Sequence, residues 1–449
     1  MKKAIPICLA FSYVALAFSD AAWLEIVVSL IVFAFLILTV PSLKGRAAKL
    51  ISVLAVLTAL LLINQENWLD TLVDGALMNL TIVAIFVLTP VLGIPFRTGG
   101  YTNALRSLLY KRRNSVPFFY ASTYFLTYIL GAVINVGSIS INHYLSGASN
   151  VQSNRLTANA LSRGFGGALG WSPYFAAMAL VVSQLAIEWA SIAVYAVGFS
   201  LLCFLVGFLI EWPTMKKETN RLQSAGERSA QTPVSGRTWL TVSELAILLS
   251  ATTCIVLLIE RFSPFNMIIA IAFTAVFFPL LWCLAKGTFS LYKKEVSKHV
   301  HSTLPNLHTE IALFLLAGIF SSAFVSSKWS DLFVQLFSQW FGHSPALMTI
   351  LLSIIIVGAG LAGLHPVVIV TILLTSIDPA RLDFSLPYFA IAVLGSWSIS
   401  NVLSPATAVN NLIAHSLNEK LVNIAWRWNW VYGSVMIVLL PIYLYFTGL

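Results

Sequence analysis

Charged residues are scarce in this chain of 449 residues. Asp, Glu, Lys and Arg together make up 10% of it, whereas hydrophobic residues make up 58%. Soluble proteins average about 25% charged residues, so the shortage excludes a multi-domain soluble enzyme and a disordered chain. Apolar runs of about 20 residues recur along the chain instead. They predict an all-α polytopic membrane protein rather than a barrel of alternating ten-residue strands.

Cysteines are few, and the short motifs of common enzymes are missing. The four cysteines lie in apolar runs at unrelated spacings, which argues against a disulfide framework and against a thiolate metal site. The chain has no HExxH, Walker or GxSxG motif. We therefore expect no enzyme activity, and no cofactor other than a coupling ion.

The net charge of +9 comes from basic residues in the loops between apolar runs, so it indicates membrane topology rather than nucleic-acid binding. We predict eleven spans with the N-terminus in the cytoplasm and the C-terminus outside, in the inner (plasma) membrane. Cytoplasmic segments then hold all 26 Lys and Arg residues except Arg163, Arg261, Lys328 and Arg381. Residues 1–19 also fit a cleaved signal peptide, and we favour an uncleaved first span. The predicted spans lie near 4–19, 22–40, 49–64, 77–95, 157–187, 190–211, 240–259, 264–285, 310–326, 385–416 and 428–447.

Two further apolar segments, about 117–150 and about 345–377, are interrupted in the middle by small or polar residues. A full crossing at either segment would scramble the charge bias, so we predict that each is a re-entrant hairpin. The chain then divides into an N-terminal membrane repeat over 1–211, a cytoplasmic linker over 212–238 and a C-terminal membrane repeat over 239–449.

The two halves share a sequence pattern that starts before each hairpin. Residues 101–110 align without gaps to residues 329–338, and both segments have the apolar spacing of an amphipathic helix that lies along the membrane interface. The same register aligns positions 135–138 with 363–366, at the two hairpin centres.

A Ser-Pro pair then recurs in the middle of a long span in each half. After a four-residue adjustment, Ser172-Pro173 aligns with Ser404-Pro405. By the charge bias, the two halves enter the membrane from opposite sides. We therefore predict an inverted repeat.

A proline in the middle of a span removes a backbone hydrogen bond and disfavours helix in the residue before it. Freed backbone groups persist in a membrane only where they line a protein cavity. Helix N-termini at such breaks suit an anion, whereas carbonyl and hydroxyl oxygens suit Na⁺. The predicted substrate site is Asn135, Gly137, Ser138, Ser172, Pro173, His365, Pro366, Asn401, Ser404, Pro405 and Thr407. The predicted Na⁺ ligands are Asn135, Ser138, Ser172, Gly363 and Ser404.

Several of these residues have a second interpretation. Asn135 and Asn401 either bind the solute or tie helices together, and His365 is either a ligand or a structural histidine. Arg163 either belongs to the substrate site as the partner of an anion or extends to the cytoplasmic face. No acidic residue lies near the middle of a predicted span. Its absence favours Na⁺ coupling or uncoupled exchange over a carboxylate proton relay.

This pattern resembles the ion transporter superfamily and, within it, the divalent anion:sodium symporters of dicarboxylates and citrate. The runs SPYF at 172–175 and SPAT at 404–407 are similar to the Thr-Pro-Pro-Asn-like runs of that family's broken spans. The family's Ser-Asn-Thr tip motif is replaced here by NVGS at 135–138 and LHPV at 364–367. The resemblance implies a homodimer in which interfacial helices link a fixed scaffold to a moving transport domain.

We therefore expect a secondary active transporter of a small, carboxylate-like organic anion that works in the lipid bilayer by elevator-type alternating access, with Na⁺ as the candidate coupling ion in symport. An exporter or exchanger of the same fold without Na⁺ coupling is one alternative. A membrane-embedded polysaccharide polymerase or lipid-linked transferase is another, although such enzymes usually need larger outer loops. A passive channel is the third.

Overall fold

The computed structural model describes residues 4–449 except positions 20, 64, 225–235, 342–343, 378 and 380–383, and the described residues form helices and turns without a β-strand. The predicted all-α class is therefore confirmed. The helices of the first half are α1 (Ile5–Leu16), α2 (Ala22–Thr39), α3 (Gly45–Leu62), α4 (Trp68–Met78), α5 (Leu80–Leu92), α6 (Ile94–Thr98), α7 (Tyr101–Tyr110), α8 (Val116–Ile134), α9 (Gly137–Ser146), α10 (Asn154–Trp171), α11 (Ala176–Leu185) and α12 (Trp189–Ser224).

The second half continues the helical chain with the same kinds of element. Its helices are α13 (Gly236–Phe262), α14 (Met267–Ala285), α15 (Phe289–Lys298), α16 (Leu304–Asn306), α17 (His308–Val325), α18 (Lys328–Phe341), α19 (Pro345–Leu361), α20 (Pro366–Ser376), α21 (Leu386–Leu403), α22 (Ala408–Leu417) and α23 (Trp430–Thr447). Two short π-helical turns, His299–Thr303 and Asn423–Arg427, join neighbouring helices.

Ten helical stretches among the described residues are long and apolar enough to cross a membrane. Nine coincide with predicted spans, and the tenth, Val116–Ile134, is the first arm of the first predicted hairpin. The shorter apolar helices Ile5–Leu16 and Ala48–Leu62 occupy the two remaining predicted spans. The apolar pattern therefore predicts the positions of the long apolar helices correctly.

The first part of the predicted linker over 212–238 is helical in the structure. Helix α12 continues without a break as far as Ser224, because residues 214–224 are mostly good helix formers and contain neither Gly nor Pro. Positions 225–235 of the predicted linker lie outside the described residues, and α13 begins at Gly236.

The two broken spans have matching boundaries in the predicted register. Helices α10 and α11 correspond residue for residue to α21 and α22. Ser153 and Ser385 cap the first helix of each span by accepting a hydrogen bond from a backbone N–H three residues later. Ala186 and Asn418 follow the second helix of each span in the left-handed conformation. The sequence repeat is thus a repeat of local structure.

The helices pack into two groups. Helices α1–α5, α13, α14 and α17 pack on one another and form the first group, and helices α8–α12 and α19–α23 form the second group. The groups meet where α17 contacts α20 and where α5 contacts α8 and α11. Helix α7 contacts α13 of the first group and α9 of the second, and α18 contacts α17 as well as α19 and α20. Both predicted interfacial helices therefore bridge the groups.

Candidate functional site

Both hairpins turn through a residue with positive φ, at equivalent positions of the repeat. Asn135 has φ +57° and ψ −140°, between α8 and α9, and Gly363 has φ +89°, between α19 and α20. Gly adopts positive φ freely, whereas the angles of Asn135 lie outside the left-handed helical region that Asn tolerates, so its backbone is strained. The side-chain oxygen of Asn135 accepts a hydrogen bond from the N–H of Val136 at 2.8 Å. Asn135 thus shapes the first tip, beside the exposed Gly137.

Each Ser-Pro serine ties a hairpin to a break. Ser172 Oγ donates to the Ala132 carbonyl at 2.8 Å, and Ser404 Oγ donates to the Gly360 carbonyl at 2.7 Å. The two acceptors are equivalent in the predicted register. Each hydroxyl also accepts a hydrogen bond from the N–H two residues later. Both serines are fully buried, so they hold tip and break together here, and ligand binding by them stays a prediction.

The breaks follow directly from the prolines. Pro173 and Pro405 come after Ser172 and Ser404, where their missing N–H ends the helical hydrogen-bond pattern. The chain resumes helix only at Ala176 and at Ala408. Both predicted breaks are therefore present at the predicted positions.

The two broken spans cross just before their breaks. Ser398 Oγ donates to the Gly166 carbonyl at 2.5 Å, and these two residues precede Ser172 and Ser404 by the same number of positions. A Cβ atom on Gly166 would lie 2.8 Å from Cγ2 of Val402. Helices α10 and α22 also pack together, as do α11 and α21. The arrangement brings both halves of the predicted site to one crossing.

The second break is stabilised by its own side chains. Thr407 caps α22 by accepting a hydrogen bond from the N–H of Asn410. The Asn410 amide donates to the carbonyls of Asn401, Val402 and Ser404. Its oxygen accepts a hydrogen bond from Ser162 on α10 at 2.9 Å. Asn410 thus satisfies the carbonyls that the break frees and ties the two spans together.

Four helices begin at the tips and breaks, and they differ in capping. His365 Nδ1 accepts from the N–H of Val367 and caps α20, as Thr407 caps α22. Helices α9 and α11 have no side-chain cap among the described residues. Since Ser172 bonds to Ala132 close to the first tip, these two uncapped N-termini belong to the same tip and break. A helix N-terminus offers free N–H groups and partial positive charge to an anion.

Three polar side chains near these elements are buried without partners. Ser138 Oγ, both amide atoms of Asn142 and Oδ1 of Asn401 have no hydrogen-bond partner among the described residues. Asn142 was not among the predicted site residues. The signal that could have found it is its position, one helical turn after Ser138 on the same face of the hairpin arm.

Arg163 is bound by protein groups. The guanidinium lies 3.1 Å from the Glu211 carboxylate, and both side chains are fully buried. The remaining acceptors of its five N–H donors are Asn429 Oδ1, Tyr120 OH and the carbonyls of Gly207 and Trp428. No donor remains for a solute in this structure. The alternative that Arg163 extends to the cytoplasmic face is wrong, because its side chain is fully buried. Glu211 also pairs with the partly exposed Arg155 at 3.0 Å.

Serines on α21 form a second set of contacts that sequence reasoning did not assign. Ser396 bonds to Ser353 on α19 at 2.8 Å, and Ser400 donates to the carbonyl of Ile356 at 3.1 Å. With Ser404 they form a row at every fourth position, which faces the second hairpin. Their spacing along the helix was the available signal.

A cavity of about 1040 Å³ lies away from the predicted site residues. It is open to the surface and is lined by residues of α3, α4, α17 and α18, with acidic side chains from Glu66, Asp70 and Asp74. None of the predicted site residues lines it. Among the described residues, no group of three or more His, Cys, Asp or Glu side chains could hold a metal ion.

Comparisons with known proteins identify a fold. No protein-family model matches the chain, and no curated protein matches it. The resemblance to divalent anion:sodium symporters therefore stays a prediction. Among solved structures, the YdaH transporter of Alcanivorax borkumensis, described as having an unusual topology, aligns with a TM-score of 0.58 and 16% identity, over 93% of this chain and 98% of that one. At this identity the likeness establishes the fold alone.

Proposed function

We propose that this chain is a secondary transporter that carries a small organic anion across the inner membrane by alternating access. The observation that carries the proposal is the start of four helices, α9, α11, α20 and α22, at two hairpin tips and two breaks. In each half a serine ties the hairpin to the break, and the two broken spans cross at Gly166 and Ser398. The first N–H groups of a helix have no partner within the helix, and an anion is the ligand that a helix N-terminus favours.

The uncapped N-termini of α9 and α11 are the proposed binding point for the anionic group. They belong to one tip and one break, which Ser172 and Ala132 hold together. Arg163 is not needed for this role, because helix dipoles and backbone N–H groups supply the positive potential.

The division into two groups supports an elevator-type motion. The tips and breaks all belong to the second group, so the whole site would move as one unit against the first group. Helices α7 and α18 contact both groups, and Tyr101 at the start of α7 donates to Glu244 of α13 at 2.5 Å. We propose that these helices are the links across which the second group moves. The charge bias assigns the N-terminus to the cytoplasm and opposite orientations to the two halves.

Na⁺ is the proposed coupling ion. At each tip a serine hydroxyl lies next to a hairpin carbonyl, Ser172 with Ala132 and Ser404 with Gly360. Neutral oxygen donors of this kind suit a small hard cation at a broken helix. Stabilisation by Na⁺ supports symport, whereas transport that is indifferent to Na⁺ supports the exporter or exchanger.

A thermal-shift screen of the purified protein against organic anions, with and without Na⁺, tests the ligand. We expect at least one dicarboxylate to raise the melting temperature, and a cationic compound of similar size to leave it unchanged. Stabilisation only by neutral or cationic compounds would refute the anion proposal.

Cysteine accessibility in proteoliposomes tests alternating access. The free cysteines Cys8, Cys203, Cys254 and Cys283 are first replaced, and Gly137→Cys and Ala362→Cys then place single thiols at the two exposed tips. With solute, labelling of these thiols should rise from one side of the membrane and fall from the other, because both tips move together with the second group. Labelling that solute does not change at either tip would support a passive channel instead.

A further inference from the structure

One face of α9 carries polar side chains that the protein leaves unpaired. Ser138 and Asn142 lie one turn apart, and both are buried. Neither Ser138 Oγ nor either amide atom of Asn142 has a hydrogen-bond partner among the described residues. A buried polar group that lacks a hydrogen-bond partner destabilises the folded protein. A ligand that forms hydrogen bonds with these three atoms of one ten-residue helix would remove that cost.

Helix α9 contacts helices of both halves. It packs on α7, α8, α10 and α22, and Ser138 Oγ lies 3.4 Å from the position that a Cβ of Gly131 would take. Helix α22 is tied to α10 by the Asn410–Ser162 hydrogen bond. Asn410 also binds the backbone of Asn401, whose own buried Oδ1 has no hydrogen-bond partner among the described residues. The unpaired atoms of Ser138, Asn142 and Asn401 therefore lie on helices α9 and α21, and α22 contacts the first and hydrogen-bonds to the second.

The repeat shows that packing does not require polarity at these positions. In the register that aligns Asn135 with Gly363, Ser138 corresponds to Pro366 and Asn142 corresponds to Val370. Val370 is fully buried and apolar in the equivalent arm α20. The same fold therefore accommodates an aliphatic side chain where the first hairpin has an amide.

We infer that Ser138 and Asn142 form a subsite for an uncharged polar group of the transported solute, a group such as a hydroxyl or an amide that both donates and accepts hydrogen bonds. The inference rests on the proposed function, and it narrows the solute to anions that carry such a group. The Asn142 amide has one acceptor and one donor side. A carboxylate only accepts, so it would leave the oxygens of Asn142 and Asn401 unpaired.

A first experiment needs no ligand. Asn142→Leu removes the unpaired amide at nearly constant shape, so the melting temperature of the solute-free protein should rise. Asn410→Leu is the matched control, because it removes a buried amide that makes four hydrogen bonds, and it should lower the melting temperature. If Asn142→Leu lowered the melting temperature as much as Asn410→Leu does, Asn142 would have a structural role, and the inference would be overturned.

A second experiment uses three anions on the full-length protein. Malate adds a hydroxyl to succinate, and succinamate replaces one carboxylate by an amide. We expect malate or succinamate to raise the melting temperature more than succinate does, and Asn142→Leu to reduce that shift to the succinate value. Equal shifts with all three anions in both proteins would overturn the subsite and leave the transporter proposal intact. No shift with any of them, with or without Na⁺, would count against both.

Discussion

At the scale of single residues, some buried polar side chains of the second group have hydrogen-bond partners among the described residues and others do not. Ser172, Ser404 and Thr407 use their hydroxyls to hold the tips and breaks. The buried Glu211 carboxylate pairs with the buried Arg163 and also with the partly exposed Arg155. The unpaired amide of Asn142 stands apart from all of these. Under the proposed function, binding would depend on a few uncharged groups and on backbone N–H groups.

Glu211→Gln should strongly destabilise the protein. The substitution leaves the buried Arg163 guanidinium without its counter-charge, and breaking a buried pair in this way costs about 3–5 kcal/mol. The melting temperature of the solute-free protein measures the effect. Glu295→Gln is the matched control, because Glu295 pairs with Arg97 at the partly exposed surface, where a pair contributes about 0–1 kcal/mol. Equal losses for the two variants would contradict the role assigned to the buried pair.

His299 should make the protein less stable in mild acid. Burial lowers the pKa of this histidine, nearby Arg97 lowers it further, and a hydrogen bond to the Val87 carbonyl partly opposes the shift. Below the unfolded-state value of about 6.5, the unfolded chain binds a proton that the folded protein does not. Stability is therefore complete above that pH and decreases as the pH falls.

The test compares melting temperatures at pH 7.5 and pH 5.5. His299→Gln should reduce the difference between the two temperatures, whereas a change at the exposed His301 should leave it unaltered. An unchanged difference in His299→Gln would show that other groups cause the acid sensitivity.

At the scale of elements, the hairpins and broken spans depend on a few backbone positions. The tips need one residue each with positive φ, Asn135 and Gly363. The crossing of the two spans needs a position without a side chain, Gly166, because Val402 and the Ser398 carbonyl leave no room for a Cβ. Backbone conformation and close approach thus explain these residues without reference to a ligand.

Gly363→Ala should destabilise the second hairpin by about 1–2 kcal/mol, the cost of a left-handed conformation for a residue with a Cβ. No atom lies within 4 Å of the added Cβ, so the effect is one of backbone conformation alone. Gly358→Ala in α19 also meets no atom within 4 Å, has no positive φ, and should stabilise the helix by about 0.5–1 kcal/mol. The melting temperature should therefore fall for Gly363→Ala and rise for Gly358→Ala. A shift in the same direction for both variants would refute the assigned tip conformation.

Gly166→Ala should weaken the contact between the two broken spans. Its Cβ would lie 2.8 Å from Val402 and 3.2 Å from the Ser398 carbonyl, and overpacking of this kind costs about 1–3 kcal/mol. Gly170→Ala lies on the same helix with no neighbour nearer than 3.6 Å, and it should keep or raise the melting temperature. A Gly166→Ala protein as stable as Gly170→Ala would mean that the spans do not cross as described.

At the scale of the whole molecule, the site belongs to one of two packed groups. The second group holds both hairpins and both broken spans, and it meets the first group along α5 and α17. Side-chain contacts across this boundary include Asn79 with Thr371 at 3.5 Å and the rings of Phe314 and His365, whose centroids are 5.3 Å apart. An elevator-type motion has to break these contacts.

A disulfide across the boundary should therefore stop transport reversibly. Asn79→Cys with Thr371→Cys links the groups, and Ser353→Cys with Ser396→Cys links two helices within the second group. In a background without native cysteines, oxidation should abolish proteoliposome uptake of the stabilising anion only in the first pair, and reduction should restore it. Full uptake with the first pair oxidised would refute relative motion of the groups.

The sequence by itself determined the class of the protein and the outline of its repeat. Scarce charge and long apolar runs leave helices as the only elements that satisfy their own backbone groups in a membrane. The prolines at 173 and 405 and the shared register located the breaks and tips, because they act through local backbone geometry. These features depend on residues close together in the chain, so no tertiary information was needed.

Only the tertiary structure decided which polar side chains are available for binding. Arg163 bonds to Glu211 and Asn429, and Ser172 bonds to Ala132, whereas the amide of Asn142 has no partner in the described part of the chain. Each outcome depends on which distant helix packs against that side chain, and a single sequence does not encode this locally. Hydrogen bonding and ion pairing act over about 3 Å, so partners are fixed only when the helices are in place.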